Sequence, residues 1–160
     1  MDLETIFSIC NAAVLPGWLL LAFAPRWRWT QRVAAGTAAA LALVYLILIA
    51  PTFGKGEGSF GSLHGVGQLF ARREVLLVGW IHYLVFDLFT GSWEVRDAAR
   101  LGIPHWTVVP CLALTLLFGP VGFLGYLALR AALRRRLDID DAAPAGMPAS
   151  PRGAPSPPPS

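Results

Sequence analysis

The stretch Val75-Leu-Leu-Val-Gly-Trp-Ile-His-Tyr-Leu-Val-Phe-Asp-Leu-Phe89 carries a histidine and an aspartate inside a run otherwise oily enough to lie in a bilayer. An ionisable side chain costs roughly 2.5 kcal/mol or more near the centre of an inserted helix. Such a group faces a protein interior and finds a partner, so His82 and Asp87 indicate both the fold class and the first place to look for chemistry. At 100° per residue, Trp80, Tyr83 and Asp87 fall along one helical face. His82 lies about 140° from Asp87, nearer Phe86 and Phe89, so the two do not form a pair on one stripe. Asp87 can accept a hydrogen bond from Tyr83 one turn away, or meet Arg96, Arg100 or His105 from the segment that follows. On residues alone, a buried ion pair or hydrogen bond fixing this helix against its neighbours is a slightly better account of these groups than catalysis.

The rest of the chain supports the membrane reading. Of 160 residues, 55% are hydrophobic and 14% charged, where a soluble domain carries about a quarter charged. Val33 to Ala50 holds no charge at all, close to the length that crosses the hydrocarbon core. Four apolar blocks predict an all-α, polytopic membrane protein with helices at about 5–23, 33–50, 75–93 and 107–129, since a lone strand in lipid leaves its backbone groups unpaired. The four helices make one transmembrane domain over 1–137. Residues 138–160 turn acidic, then rich in Pro, Ala, Gly and Ser, and are expected to form a disordered tail.

Ala22-Phe-Ala24 resembles a signal-peptide cleavage site, but the preceding Met1-Asp-Leu-Glu4 is acidic and Pro25 would follow the cut. The first block is therefore expected to be a retained helix, with no transit peptide before it. Cys10 and Cys111 both lie in apolar blocks and read as small packing residues. The formal charge of +3 comes from arginines at helix ends, which suits anionic lipid headgroups and not nucleic acid. Counting Lys55, Arg72, Arg73, Arg130 and Arg134 to Arg136 against Arg26, Arg28, Arg32, Arg96 and Arg100 favours both termini in the cytoplasm, in a bacterial inner membrane.

The connections differ in kind. Pro25-Arg-Trp-Arg-Trp-Thr-Gln-Arg32 is tight, so the first two helices are predicted to be antiparallel neighbours. The next, 51–74, is glycine-rich, and Leu63 to Phe70 within it is apolar enough for a short interfacial or re-entrant turn. Gly56-Glu-Gly-Ser-Phe-Gly61 fits G-x-G-x-x-G, but that pattern binds dinucleotides only between a strand and a helix. The segment 91–106 reads as a polar loop. Gly119-Pro120 removes a backbone donor and predicts a kink or break in the last helix. Asn11 predicts an interhelical hydrogen bond, and Pro16 a bend that brings it inward. His64, His82 and His105 with Asp87, Glu94 and Asp97 match no metal-ligand spacing, and no metal is expected.

Ser62-Leu-His-Gly-Val-Gly-Gln-Leu-Phe70, Gly79 to Phe89, Trp93-Glu-Val-Arg-Asp97, Gly102-Ile-Pro-His105 and Pro110 to Gly122 follow one another in an order similar to the abscisic-acid-deficient-four-like membrane proteins. Asn11, Pro16, Trp18, Pro25 and Thr30 fit the same pattern, so the resemblance covers nearly everything before Arg136. Plant members of that family are plastid membrane proteins needed to make neoxanthin from violaxanthin. The resemblance therefore implies a small membrane protein working on carotenoids, as a cofactor-independent isomerase of xanthophyll end groups or as a non-catalytic scaffold or carotenoid-binding partner of pathway enzymes. A homo-oligomer is compatible with either, and a transporter fits less well.

Turning an epoxide end group into an allene needs one proton delivered to the oxygen and another removed from a polyene carbon, with no redox cofactor. A carboxyl buried away from water keeps its proton and can act as an acid, and histidine is the natural base near neutral pH. The resemblance thus suggests Asp87 as acid, His82 as base and Tyr83 as the group that orients the carboxyl. Asn11, Trp80, Arg96, Asp97 and His105 would bind the substrate, the last three at the interface where a xanthophyll's polar ring sits.

Overall fold

A computed structural model describes residues 2–52, 54–55 and 58–134. The proline-rich tail and the first two residues of the Gly56–Gly61 motif lie outside the described residues. The elements are all helices: α1 (Leu3–Phe23), α2 (Thr30–Ile49), α3 (Leu63–Phe70), α4 (Arg73–Leu101), α5 (His105–Phe118) and α6 (Pro120–Arg134).

Asp2 starts α1 by accepting a hydrogen bond from the Thr5 amide at 2.7 Å, which satisfies one of the amides a helix start leaves free. That bond holds the Asp2 carboxyl below the usual carboxylate range. Its contribution is present above the unfolded value of about 3.9 and is lost as pH falls through the lower folded value. Hydrogen exchange, corrected for intrinsic rates, should show the Thr5 amide deprotected in Asp2→Ala at neutral pH. It should stay protected at low pH in Asp2→Asn, whose amide oxygen caps without titrating. An unprotected Thr5 amide in the unmodified chain would remove the cap.

The first two helices are antiparallel neighbours, as the tight connection predicts, and Thr30 donates its hydroxyl to the Ala24 carbonyl at 2.6 Å to close the turn. The segment from Leu63 forms the short helix α3, capped by Ser62. The core gathers Val14, Trp18 and Leu21 from α1, Ile81 and Leu88 from α4, Val108 and Leu112 from α5, and Tyr126 from α6. Cys10 and Cys111 are buried there as free thiols.

Two boundaries differ from the sequence expectation. The third block runs from Arg73 to Leu101, not from 75 to 93, so most of the segment that reads as a loop continues the helix. Its polar residues Glu94 and Asp97 look like loop chemistry in sequence; they are helical because neighbouring helices bury and pair them. The fourth block is also not one helix. It breaks at Gly119, whose backbone takes a positive φ of 42°, and Pro120 starts a new helix where its missing amide costs nothing.

The break reverses the chain. A side chain at Gly122 would collide with the Thr115 backbone, and one at Gly125 would lie 3.8 Å from Cys111 Sγ. These pairings run antiparallel, so α5 and α6 form a hairpin. Its base sits at the end of α4, where Arg134 donates to the Gly102 carbonyl, and its tip at Gly119 touches Asp87, at the middle of α4.

Among the described residues, three helices (α1, α2 and α4) are long and apolar enough to cross a membrane, not four. With 14 and 15 residues, α5 and α6 fall short of the roughly 20 a crossing takes. Glu4 pairs with Arg73 at one end of α4, and Arg134 meets Gly102 at the other.

Candidate functional site

The hairpin packs on one stripe of α4, and that stripe carries the polar residues: Tyr83, Asp87, Glu94 and Asp97. These positions return to one face because their spacings of four, seven and three follow the helical repeat. From Tyr83 to Asp97 the seam extends about 21 Å along the axis.

At the base of the hairpin, Asp97 is 3% exposed and holds three partners. Tyr126 donates its hydroxyl to Oδ2 at 2.6 Å, and Arg100 donates to Oδ1 at 2.6 Å. Arg130, 1% exposed, brings Nε to 2.9 Å from Oδ2 and Nη2 to 3.5 Å from Oδ1. The closer approach is an ion pair without hydrogen-bond alignment, so Nε and Nη1 of Arg130 lack a hydrogen-bond partner. Trp93 lies edge-on to Tyr126 and tilted against Phe123, closing the network on one flank.

Midway along the seam, fully buried Glu94 accepts from Thr115 Oγ1 at 3.0 Å, while its other oxygen has no partner. Nearer the tip, Asp87 packs its carboxyl against Gly119, and its Oδ2 is buried without a hydrogen bond. Glu94 and Asp87 are close enough to interact electrostatically. Tyr83 interacts with Asp87 and also donates to Leu116 O at 3.4 Å, a carbonyl in the last turn of α5. Because α6 begins at this point, the positive end of its dipole lies beside the Asp87 carboxyl.

Past the tip the hairpin no longer covers α4. There α1 and α4 border an apolar groove of about 260 Å³, with Phe7, Leu76 and Trp80 on its walls and the Glu4–Arg73 ion pair at its outer end. The Trp80 ring lies against Tyr83 with centroids 5.4 Å apart, so one wall of the groove touches the residue that interacts with Asp87. Trp80 Nε1 donates to Asn11 Oδ1 at 3.1 Å, the interhelical bond that Asn11 predicts.

The other anticipated residues are distributed differently. His82 is exposed on the far side of α4, its ring against Phe86 at 4.5 Å and Tyr45 of α2 at 6.0 Å. The structure thus does not bring His82 and Asp87 together. His105 reaches Ala22 O at 2.9 Å and ties α5 to the end of α1. Arg96 is exposed beside Trp93 and Arg100 at a shallow recess. Asp97, expected at the interface, is buried in the network with Tyr126 and Arg130, because α4 continues past residue 93 and the hairpin covers it.

Glu94 as a seam carboxyl, Thr115, Tyr126 and Arg130 were not anticipated. One signal was available in sequence: extending the helix through residue 101 aligns Glu94 and Asp97 with Asp87.

The family model described as ABA DEFICIENT 4-like matches residues 5–126. The protein named ABA DEFICIENT 4, chloroplastic, of Arabidopsis thaliana is 28% identical over 143 residues, covering 83% of this chain and 64% of that protein. The chain thus spans just under two thirds of the length of this curated relative. No solved structure matches the chain.

Proposed function

This chain belongs to the ABA DEFICIENT 4-like family, and from that membership we propose that it is a membrane protein of carotenoid metabolism that isomerises a xanthophyll end group by proton transfer. The observation that carries this reading is the Asp87 carboxyl. It sits at mid-depth of α4 against the hairpin tip, with one oxygen lacking a hydrogen-bond partner, and Tyr83 links it to Trp80 on the wall of the α1–α4 groove. Leaving a buried carboxyl oxygen unpaired is costly, and such a group is a functional candidate by default.

In this reading the polyene lies along the α1–α4 groove and presents its ring at the tip. Asp87 delivers its proton to the epoxide oxygen, and the bond from that oxygen to the polyene-bearing ring carbon breaks. Positive charge then spreads over that carbon and the polyene, where the faces of Tyr83 and Trp80 stabilise it. The carboxylate left on Asp87 takes the proton from the adjoining polyene carbon, whose C–H electron pair closes the allene. One proton enters and one leaves, so the carboxyl resets itself and the product is an isomer. A single carboxyl serves both steps, which suits a site that His82 does not reach.

The proposed location is a bacterial inner membrane. The hairpin places Arg130 and Arg134 at the same end as Arg26, Arg28, Arg32, Arg96 and Arg100, and the excess of basic residues marks that end as cytoplasmic.

The test is the full chain expressed in cells that accumulate an epoxy-xanthophyll, with pigments resolved by chromatography. We expect an allenic isomer, reduced at least about 100-fold by Asp87→Asn, the contribution of a positioned acid or base. Tyr83→Phe should reduce it less. Loss with His82→Ala but not with Asp87→Asn would move the chemistry to the other side of α4. Unchanged pigments with carotenoid co-purifying would instead make the chain a binding partner or scaffold.

A further inference from the structure

The side of α4 facing away from the hairpin holds a second recess, between the end of α2, α3 and the start of α4. It comprises two adjoining cavities of about 350 and 250 Å³ that share Tyr45, Phe60 and Val75 among their walls. Sizes of this order sit at the lower end of small-ligand pockets, about 300–1,000 Å³.

The outer cavity has Lys55, Arg72 and Ser59 on its walls and no carboxylate among the described residues. The inner cavity is apolar and ends at His82. Arg72 donates to the Lys55 carbonyl and so ties the loop to the start of α4. The Ser59 amide donates to Gly65 O at 3.2 Å, which folds the same loop onto α3. A cationic mouth at the helix ends, opening inward onto an oily recess, is complementary to an anionic head attached to a hydrocarbon chain.

We propose that this recess binds an anionic phospholipid, with the phosphate between Lys55 and Arg72 and the first part of one acyl chain beside Tyr45 and Val75. This site is separate from the Asp87 groove, because His82 and Asp87 point to different sides of α4. It therefore stands or falls independently of the catalytic reading.

The test uses the purified full chain in nanodiscs of mixed phosphatidylglycerol and phosphatidylcholine, with retained lipid identified by native mass spectrometry. Phosphatidylglycerol should be retained preferentially, and Lys55→Gln with Arg72→Gln should cut that preference on the order of tenfold, as removing two basic groups near an anionic surface does. Val75→Trp, which fills the recess and leaves both cations, should abolish retention in chains whose helix content is unchanged. Lys55→Gln alone serves if the paired variant fails to fold, since Arg72 bonds only the Lys55 backbone.

Three results overturn the proposal. Equal retention in Val75→Trp would reduce the effect to surface attraction. Displacement by inorganic phosphate would make the ligand a soluble anion. Loss of preference on Arg28→Gln with Arg32→Gln, but not at Lys55 and Arg72, would place the lipid at the other end of the bundle.

Discussion

Asp97→Ala is expected to destabilise the full chain in detergent by about 3–5 kcal/mol, the range for removing one partner of a buried ion pair. The cost arises on Arg130, which is left charged, 1% exposed and without its carboxylate. Tyr126 loses the acceptor for its hydroxyl in the same substitution. Tyr126→Phe removes only one hydrogen bond to a charged group and should cost about 1.5–3 kcal/mol. Replacing both charges with apolar residues of similar volume, Asp97→Leu with Arg130→Met, should recover most of the loss, because no buried charge then lacks a partner. Thermal unfolding of these variants, of Arg100→Ala and of the unmodified chain decides this. If Asp97→Ala costs no more than Arg100→Ala, which removes only the partly exposed partner, the network does not hold the hairpin base.

Gly125→Cys is expected to form a disulfide with Cys111 in nearly all molecules under mild oxidation, in a chain whose Cys10 is replaced by Ala. A Cβ at residue 125 stands 3.8 Å from Cys111 Sγ, near enough for a small side-chain rotation to bring the two sulfurs to bonding distance. In an unbroken helix the two positions would be about 21 Å apart, and no bond could form. The same experiment therefore distinguishes a hairpin from a fourth crossing. Adding Gly122→Val should abolish the cross-link, because any side chain at residue 122 overlaps the Thr115 backbone and pushes α5 and α6 apart. A cross-link that survives Gly122→Val at full yield would show that the hairpin does not depend on that close contact. Failure of the cross-link in the first variant would return the segment to a single kinked span.

The length of the hairpin separates Asp87 from the other carboxyls of α4. The hairpin reaches only to mid-depth, so it seals Glu94 and Asp97 from solvent and lipid yet leaves the groove past its tip uncovered. The Asp97 network and the Asp87 carboxyl belong to one seam, and the proposed function gives them different tasks. A variant at Asp97 should lose stability, whereas Asp87→Asn should lose product while folding normally.

Much of this was legible in the residues. The membrane class, α1 and α2, the short helix at Leu63, the break at Gly119-Pro120, the Asn11 contact and the family all follow from local composition, spacing or motif order. So does the separation of His82 from Asp87, which is a property of any helix through that stretch. Local pattern determines these because each depends only on residues within a few turns.

The direction of the chain after the break is a different matter. Gly119 and Pro120 interrupt a helix whether it then continues across the membrane or turns back. The turn is decided by Gly122 against Thr115, Gly125 against Cys111, and Arg130 on Asp97, contacts that link residues far apart in sequence or on separate helices. The length of α4 was hidden for the same reason, since Glu94 and Asp97 read as loop residues until α5 and α6 bury them. Sequence determined that this is a membrane protein with ionisable groups at depth; the tertiary structure decided which of those groups are paired across the seam and which one meets the hairpin tip.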